Sequence, residues 1–204
     1  MARLLAVLGA GVLAIFGCAH ADGAAAEQKP VVQQPANEAR TLSAAEAQAL
    51  AGFNERVTEY ARMHQRLEAT LPKLPKETSA EIIDGHQRAL EKLIRADRRN
   101  AKRGDLLAQD VRAVFRKLFA RVFVGKEGLD LRATILDENP GQIRLIVNSR
   151  YPDSIPLPTV PPQVLASLPK LPEELEYRFI GDRLVLLDVH AQIVVDFMEN
   201  ALPR

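Results

Sequence analysis

Residues Glu176–Met198 restrict the fold of this chain more than any other stretch. Three strand-length apolar runs, Tyr177–Ile180, Leu184–Asp188 and Ile193–Met198, are separated by Gly181-Asp182-Arg183 and Val189-His190-Ala191-Gln192. Short apolar runs broken by turn residues predict an antiparallel meander. Leu184–Leu187 is apolar at every position, as for a central strand covered on both faces. A period of two puts Tyr177 and Phe179 on one face, and sets Ile193, Val195 and Phe197 opposite Val194, Asp196 and Met198. Helices are expected on one side of this ribbon.

The preceding half supplies them. Ser43 and Glu46 have capping-box spacing. From there Leu50, Phe53, Val57, Tyr60, His64, Leu67 and Leu71 recur every three or four residues, one face of a long amphipathic helix. Pro72 and Pro75 end it. Thr78 and Glu81 suggest a second capping box, followed by the stripe Ile83, His86, Leu90 and Leu93. Gly104-Asp105 breaks the pattern. A third helix carries Val111, Val114, Phe115, Leu118, Phe119 and Val122, with Gly125 as its C-cap. Leu131–Leu136 and Gln142–Asn148 are expected to form a hairpin about Asn139-Pro140-Gly141. The proline-rich stretch 150–162 is expected to be irregular, with a short helix at Pro162–Leu168 closed by Pro169. The whole predicts an α+β domain over residues 42–204: about three helices, then a small antiparallel sheet of about five strands ending in the three-stranded meander.

The N-terminus points to export. Arg3 precedes the apolar run Leu4–Phe16, which ends in Gly17-Cys18-Ala19-His20-Ala21. A basic start, a short apolar centre and a small-residue end form a secretory signal over residues 1–21, too short for a spanning helix of about 20 residues. Ala19-His20-Ala21 suits cleavage to a soluble periplasmic or envelope protein. Ile15-Phe16-Gly17-Cys18 suits the alternative, lipidation of Cys18 as an anchored lipoprotein. Cys18 is the only cysteine, so no disulfide forms within the chain. Residues 22–41, rich in Ala, Gln and Pro, suit a disordered linker. Gly9-Ala10-Gly11-Val12-Leu13-Ala14 imitates a dinucleotide fingerprint, but inside an export signal it lacks the βαβ setting that gives the motif meaning.

Three chemistries compete for the folded part. His64 and His86 lie on either side of the Pro72–Pro75 break, so an antiparallel helix pair would bring them to similar height, with Glu68 one turn from His64. Two imidazoles and a carboxylate suit a divalent transition metal, the only cofactor the sequence suggests. Against this stands the plainer role of amphipathic residues at a core edge. Arg88, Lys92, Arg95, Arg98, Arg99, Lys102 and Arg103 face only Glu91 and Asp97 between positions 88 and 103. That stretch is either a solvated face or a surface for an envelope protein or an anionic envelope polymer. With a net charge of +1 and no tryptophan, nucleic acid is a poor partner. Asp188, His190 and Asp196 gather about the last turn, where acid–base work competes with an aspartate bonding its own turn. No G-x-S-x-G, H-E-x-x-H, P-loop or EF-hand spacing occurs, so a hydrolase would need an unmarked site. The leading expectation is a non-catalytic envelope binding protein. A metal-responsive periplasmic protein is the alternative, and a hydrolase the second alternative.

The wording of residues 86–107, 131–141 and 147–203 resembles a group of exported bacterial proteins to which no activity is attached; the likeness extends over about residues 50–203. Locally, Tyr177–Phe197 is similar to the closing meander of RcnB-like periplasmic proteins, which are linked to nickel and cobalt handling. That resemblance implies a small periplasmic β-meander, since function resides in sites and not in folds.

Overall fold

A computed structural model describes residues 42–138 and 143–203. The expected export signal, Cys18, the linker and the Asn139-Pro140-Gly141 turn lie outside the described residues.

The helices are α1 (Ala44–Glu68), α2 (Ala80–Asp97), α3 (Gln109–Val122), α4 (Gly125–Asp137) and α5 (Pro162–Ser167). The strands are β1 (Ser149–Arg150), β2 (Leu175–Ile180), β3 (Arg183–Asp188) and β4 (Ile193–Met198). All strand pairs are antiparallel, in the order β1-β4-β3-β2. The class is α+β, and the closing meander forms as its turn residues dictate. Gly181, at φ +68°, occupies the first position of the two-residue β2–β3 turn, where a positive φ matches the twist of the flanking strands. Among the described residues, no helix is long and apolar enough to cross a membrane.

Leu184–Leu187 is fully buried because both faces of β3 are covered. On one face Leu184 and Leu186 join Tyr177, Phe179, Ile193, Val195 and Met198. This layer packs on Phe53 and Val57 of α1, Leu90 and Ile94 of α2, and Phe115 and Phe119 of α3. On the other, Ile180, Val185, Leu187, Val194 and Phe197 are covered by Tyr151 and by Ile143, Leu145, Val147, Ile155 and Leu157 from the irregular chain. The strict alternation expected along β4 fails at one residue. Leu186 pairs with Asp196 but Leu187 with Val194, so Val195 is an unpaired bulge. The extra residue puts Val195 and Asp196 both toward the helices, and moves Phe197 to the face of Val194.

The expected hairpin of 131–136 with 142–148 is replaced by α4 and an extended segment. Leu131 and Ile135 contact the helical core at i, i+4 spacing, and a run this short cannot be told from a strand by periodicity alone. Ile143, Leu145 and Val147 do alternate inward, but pairing starts only at β1, where Asn148 N–H donates to Val194 O at 2.8 Å. The described residues thus hold five helices and four strands instead of three and five. The box at Ser43 forms as expected, with both reciprocal bonds. The cap of α2 is Ser79, not Thr78. Gly125, at φ +71°, opens α4, while α3 ends on Phe123.

α4 returns against the end of α3 so closely that a Cβ on Gly128 would lie 2.3 Å from the Phe123 carbonyl carbon. Backbone cannot yield as a side chain does. Gly128→Ala should therefore cost about 1–3 kcal/mol in urea unfolding. Gly85, exposed on α2 with nothing within 4 Å of its would-be Cβ, is the control: Gly85→Ala should gain about 1 kcal/mol from helix propensity.

Candidate metal centre

α1 presents Tyr60, His64 and Glu68 at successive i, i+4 positions, one ridge of a helix surface. The end of this ridge meets the β3–β4 turn, and Asp188 is the joint. The Oδ1 of Asp188 accepts the backbone N–H of His190 at 3.0 Å and of Ala191 at 2.8 Å. This is the turn aspartate expected from the sequence, and it orients His190. Its Oδ2 accepts the Tyr60 hydroxyl at 2.7 Å and meets His64 Nδ1 at 2.7 Å. A carboxylate only accepts, so His64 carries its proton on Nδ1 and turns Nε2 outward from the sheet. Both Asp188 and His64 are fully buried.

Three groups then converge on Glu68. His64 Nε2 lies 3.2 Å from Glu68 Oε2. His190 Nδ1 lies 3.5 Å from the same oxygen, without hydrogen-bond geometry, and is a buried nitrogen with no hydrogen-bond partner. The His64 and His190 rings meet edge to face at 5.1 Å between centroids. His86 Nε2 approaches the other oxygen, Oε1, at 3.4 Å. The expected association of His64, Glu68 and His86 is therefore present, with His86 on the far side of the carboxylate. The inner trio is His64, Glu68 and His190, whose ligand atoms all lie within 4.8 Å of one another.

This arrangement fits a metal ion in three respects. Tetrahedral zinc with bonds near 2.0–2.1 Å separates its ligand atoms by about 3.3 Å; the two edges that meet at Glu68 Oε2 are 3.2 and 3.5 Å. The Asp188 carboxylate on the remote nitrogen of His64 is the usual outer partner that fixes a ligating imidazole. An orphaned buried imidazole nitrogen is costly unless something binds it. Two nitrogens and one oxygen suit zinc, nickel or cobalt.

Without metal, protons perform the same task less completely. Burial works against a charged His64, but the hydrogen bond and charge of Asp188, helped by Glu68, prevail and raise its pKa above 6.5. Burial pushes Glu68 up, yet His86, His190 and His64 together hold it below 4.5. Burial and the Asp188 charge keep the Tyr60 hydroxyl protonated far above its usual range. The signs define a pH window. A raised His64 stabilises the fold fully below its unfolded value near 6.5, and this is lost as pH rises through the folded value. A lowered Glu68 stabilises above about 4.5, and this is lost as pH falls through its folded value. Metal-free protein should thus melt highest between about pH 5 and 6.5, and calorimetry from pH 6 to 9 should show a falling Tm. An ion held at His64 Nε2 would displace a proton there, so affinity for such an ion should rise over the same interval.

Asp196 does not belong to this group. The bulge directs it to the α2–α3 connection, where it accepts from the backbone N–H groups of Gly104, Leu106 and Leu107, each at 2.9 Å, and from its neighbour Phe197 at 2.8 Å. Of the seven basic residues, four have partners among the described residues. Arg88 pairs with Asp84 and Asp153, and Arg95 with Glu91. Arg103 pairs with Glu199, and Arg98 stacks over Tyr60. Lys92, Arg99 and Lys102 make no ion pair among the described residues. The sequence signal for His190 and Asp188 is their place at the last turn; nothing in the spacing connects that turn to His64, 124 residues from Asp188.

Compared with family models, with curated proteins and with solved structures, the chain matches none of them.

Proposed function

We propose that this is an exported envelope protein that binds one divalent transition-metal ion, zinc or nickel, through His64, Glu68 and His190, with Asp188 orienting His64 and His86 beside the free edge of Glu68. The observation that carries the reading is the partnerless, buried Nδ1 of His190, set against Glu68 Oε2 and the ring of His64. Three protein ligands leave coordination positions for water or a partner's group. Export rests on the N-terminal apolar run and its small-residue end.

Calorimetry tests this directly. Zinc at about a hundredfold its Kd should raise Tm by about 5–10 °C, and chelator should reverse the rise. His190 is 41% exposed, so His190→Ala should fold normally yet lose nearly all of the rise. His86→Ala should keep most of it. An unchanged rise in His190→Ala would reject the trio.

A further inference from the structure

A cleft lies beside Tyr60. It has a volume of about 310 Å³ and is bordered by Arg56, Tyr60, Met63, Arg98 and Leu106. Arg56 donates Nε–H to Leu106 O at 2.9 Å. Arg98 donates from Nη2 to Val195 O at 3.2 Å, and its guanidinium carbon sits 5.1 Å from the Tyr60 ring centre. Each guanidinium is thus fixed by one carbonyl and packing. Each also keeps a buried nitrogen without a partner, Nη2 of Arg56 and Nη1 of Arg98. Among the described residues, neither forms an ion pair. Two part-buried guanidiniums thus border one cleft without such a pair, which is costly as they stand.

We propose that this cleft binds one compact oxyanion, phosphate or carboxylate, through Arg56 and Arg98. A planar guanidinium offers paired N–H groups that match such an anion, and a charge-assisted bond is about twice as strong as a neutral one. The rim selects against larger anions. Glu59, Asp97 and Asp105 border the cleft with exposed carboxylates, opposed there by exposed Arg66. Asp105 is partly engaged, accepting the Lys102 backbone N–H at 2.8 Å. A polyanion would meet those carboxylates; a single small anion passes them. The volume is at the low end for small-molecule sites. The site shares no residue with the proposed metal ligands, so each stands or fails alone.

Isothermal titration of the purified protein tests it, in chelator and about 150 mM chloride so that neither metal nor screening decides the result. Inorganic phosphate or acetate should bind saturably at one site, with a midpoint of about 1 mM or below. Arg56→Gln and Arg98→Gln should each weaken binding about tenfold or more, and Arg56→Lys, which keeps charge but not the fork, should fall between. Arg56 is fixed by a single hydrogen bond, so its variants report even if Arg98→Gln unfolds; urea midpoints verify folding. Phosphatidylglycerol vesicles separate the sources. Pelleting that phosphate displaces assigns the anion to a lipid headgroup; phosphate binding without pelleting assigns it to a free anion. No saturable heat with phosphate or acetate, or heat unchanged in the Arg56 variants, overturns the proposal.

Discussion

Replacing Asp188 with alanine is expected to destabilise the protein by about 3–5 kcal/mol, read as a lowered urea midpoint. The carboxylate is fully buried and receives four hydrogen bonds: Tyr60 and His64 on one oxygen, His190 N–H and Ala191 N–H on the other. Alanine leaves the buried hydroxyl and imidazole without an acceptor and releases the turn that carries His190. Asp188→Asn separates the two roles. Its oxygen can still serve the turn, but its amide donors oppose the Tyr60 and His64 donors, for a smaller loss of about 1–3 kcal/mol. Metal affinity should fall about 10–100-fold in the asparagine variant, because His64 loses the carboxylate that sets its tautomer and basicity. An asparagine variant with native zinc affinity would remove Asp188 from the metal account.

Asp196→Ala is expected to cost a similar amount, about 3–5 kcal/mol, for a different reason: several buried donors lose their acceptor at about 1–3 kcal/mol each. Here the buried carboxylate gathers the backbone N–H groups of Gly104, Leu106, Leu107 and Phe197. Without it, the connection before α3 holds buried donors with no acceptor. Hydrogen exchange at Leu106 and Leu107 should accelerate by far more than exchange in β3. Zinc affinity should stay within about twofold of the native value, since the two aspartates share no partner. A loss of zinc binding in Asp196→Ala would show that the two buried carboxylates act as one network.

These aspartates mark the limit of what the sequence makes legible. The meander, the capped first helix with its stripe from Phe53 to His64, and the short helix after Pro161 follow from local periodicity and turn chemistry. The bulge at Val195 does not: one unpaired residue alters which side chains face the helices, and nothing in Ile193–Met198 announces it. α4 is not legible as a helix because its apolar residues are too few to distinguish a period of two from one of three to four. His64, Glu68 and His86 were brought near one another by a helix hairpin, a local argument. His190 and Asp188 reach the same place only through sheet-to-helix packing, which is a long-range property of the fold. Charge counts along the basic stretch likewise do not reveal partners such as Asp153 for Arg88 or Glu199 for Arg103.

The proposed centre holds one ion by two imidazoles and one carboxylate. X-ray absorption at the zinc edge, on protein loaded with one equivalent and freed of excess, tests it most directly. Light-atom ligands at about 2.0–2.2 Å are expected, with the outer-shell scattering of two imidazoles, reduced to one in His190→Ala. Zinc that washes out with the excess, or a bound ion with no imidazole in its shell, would contradict it.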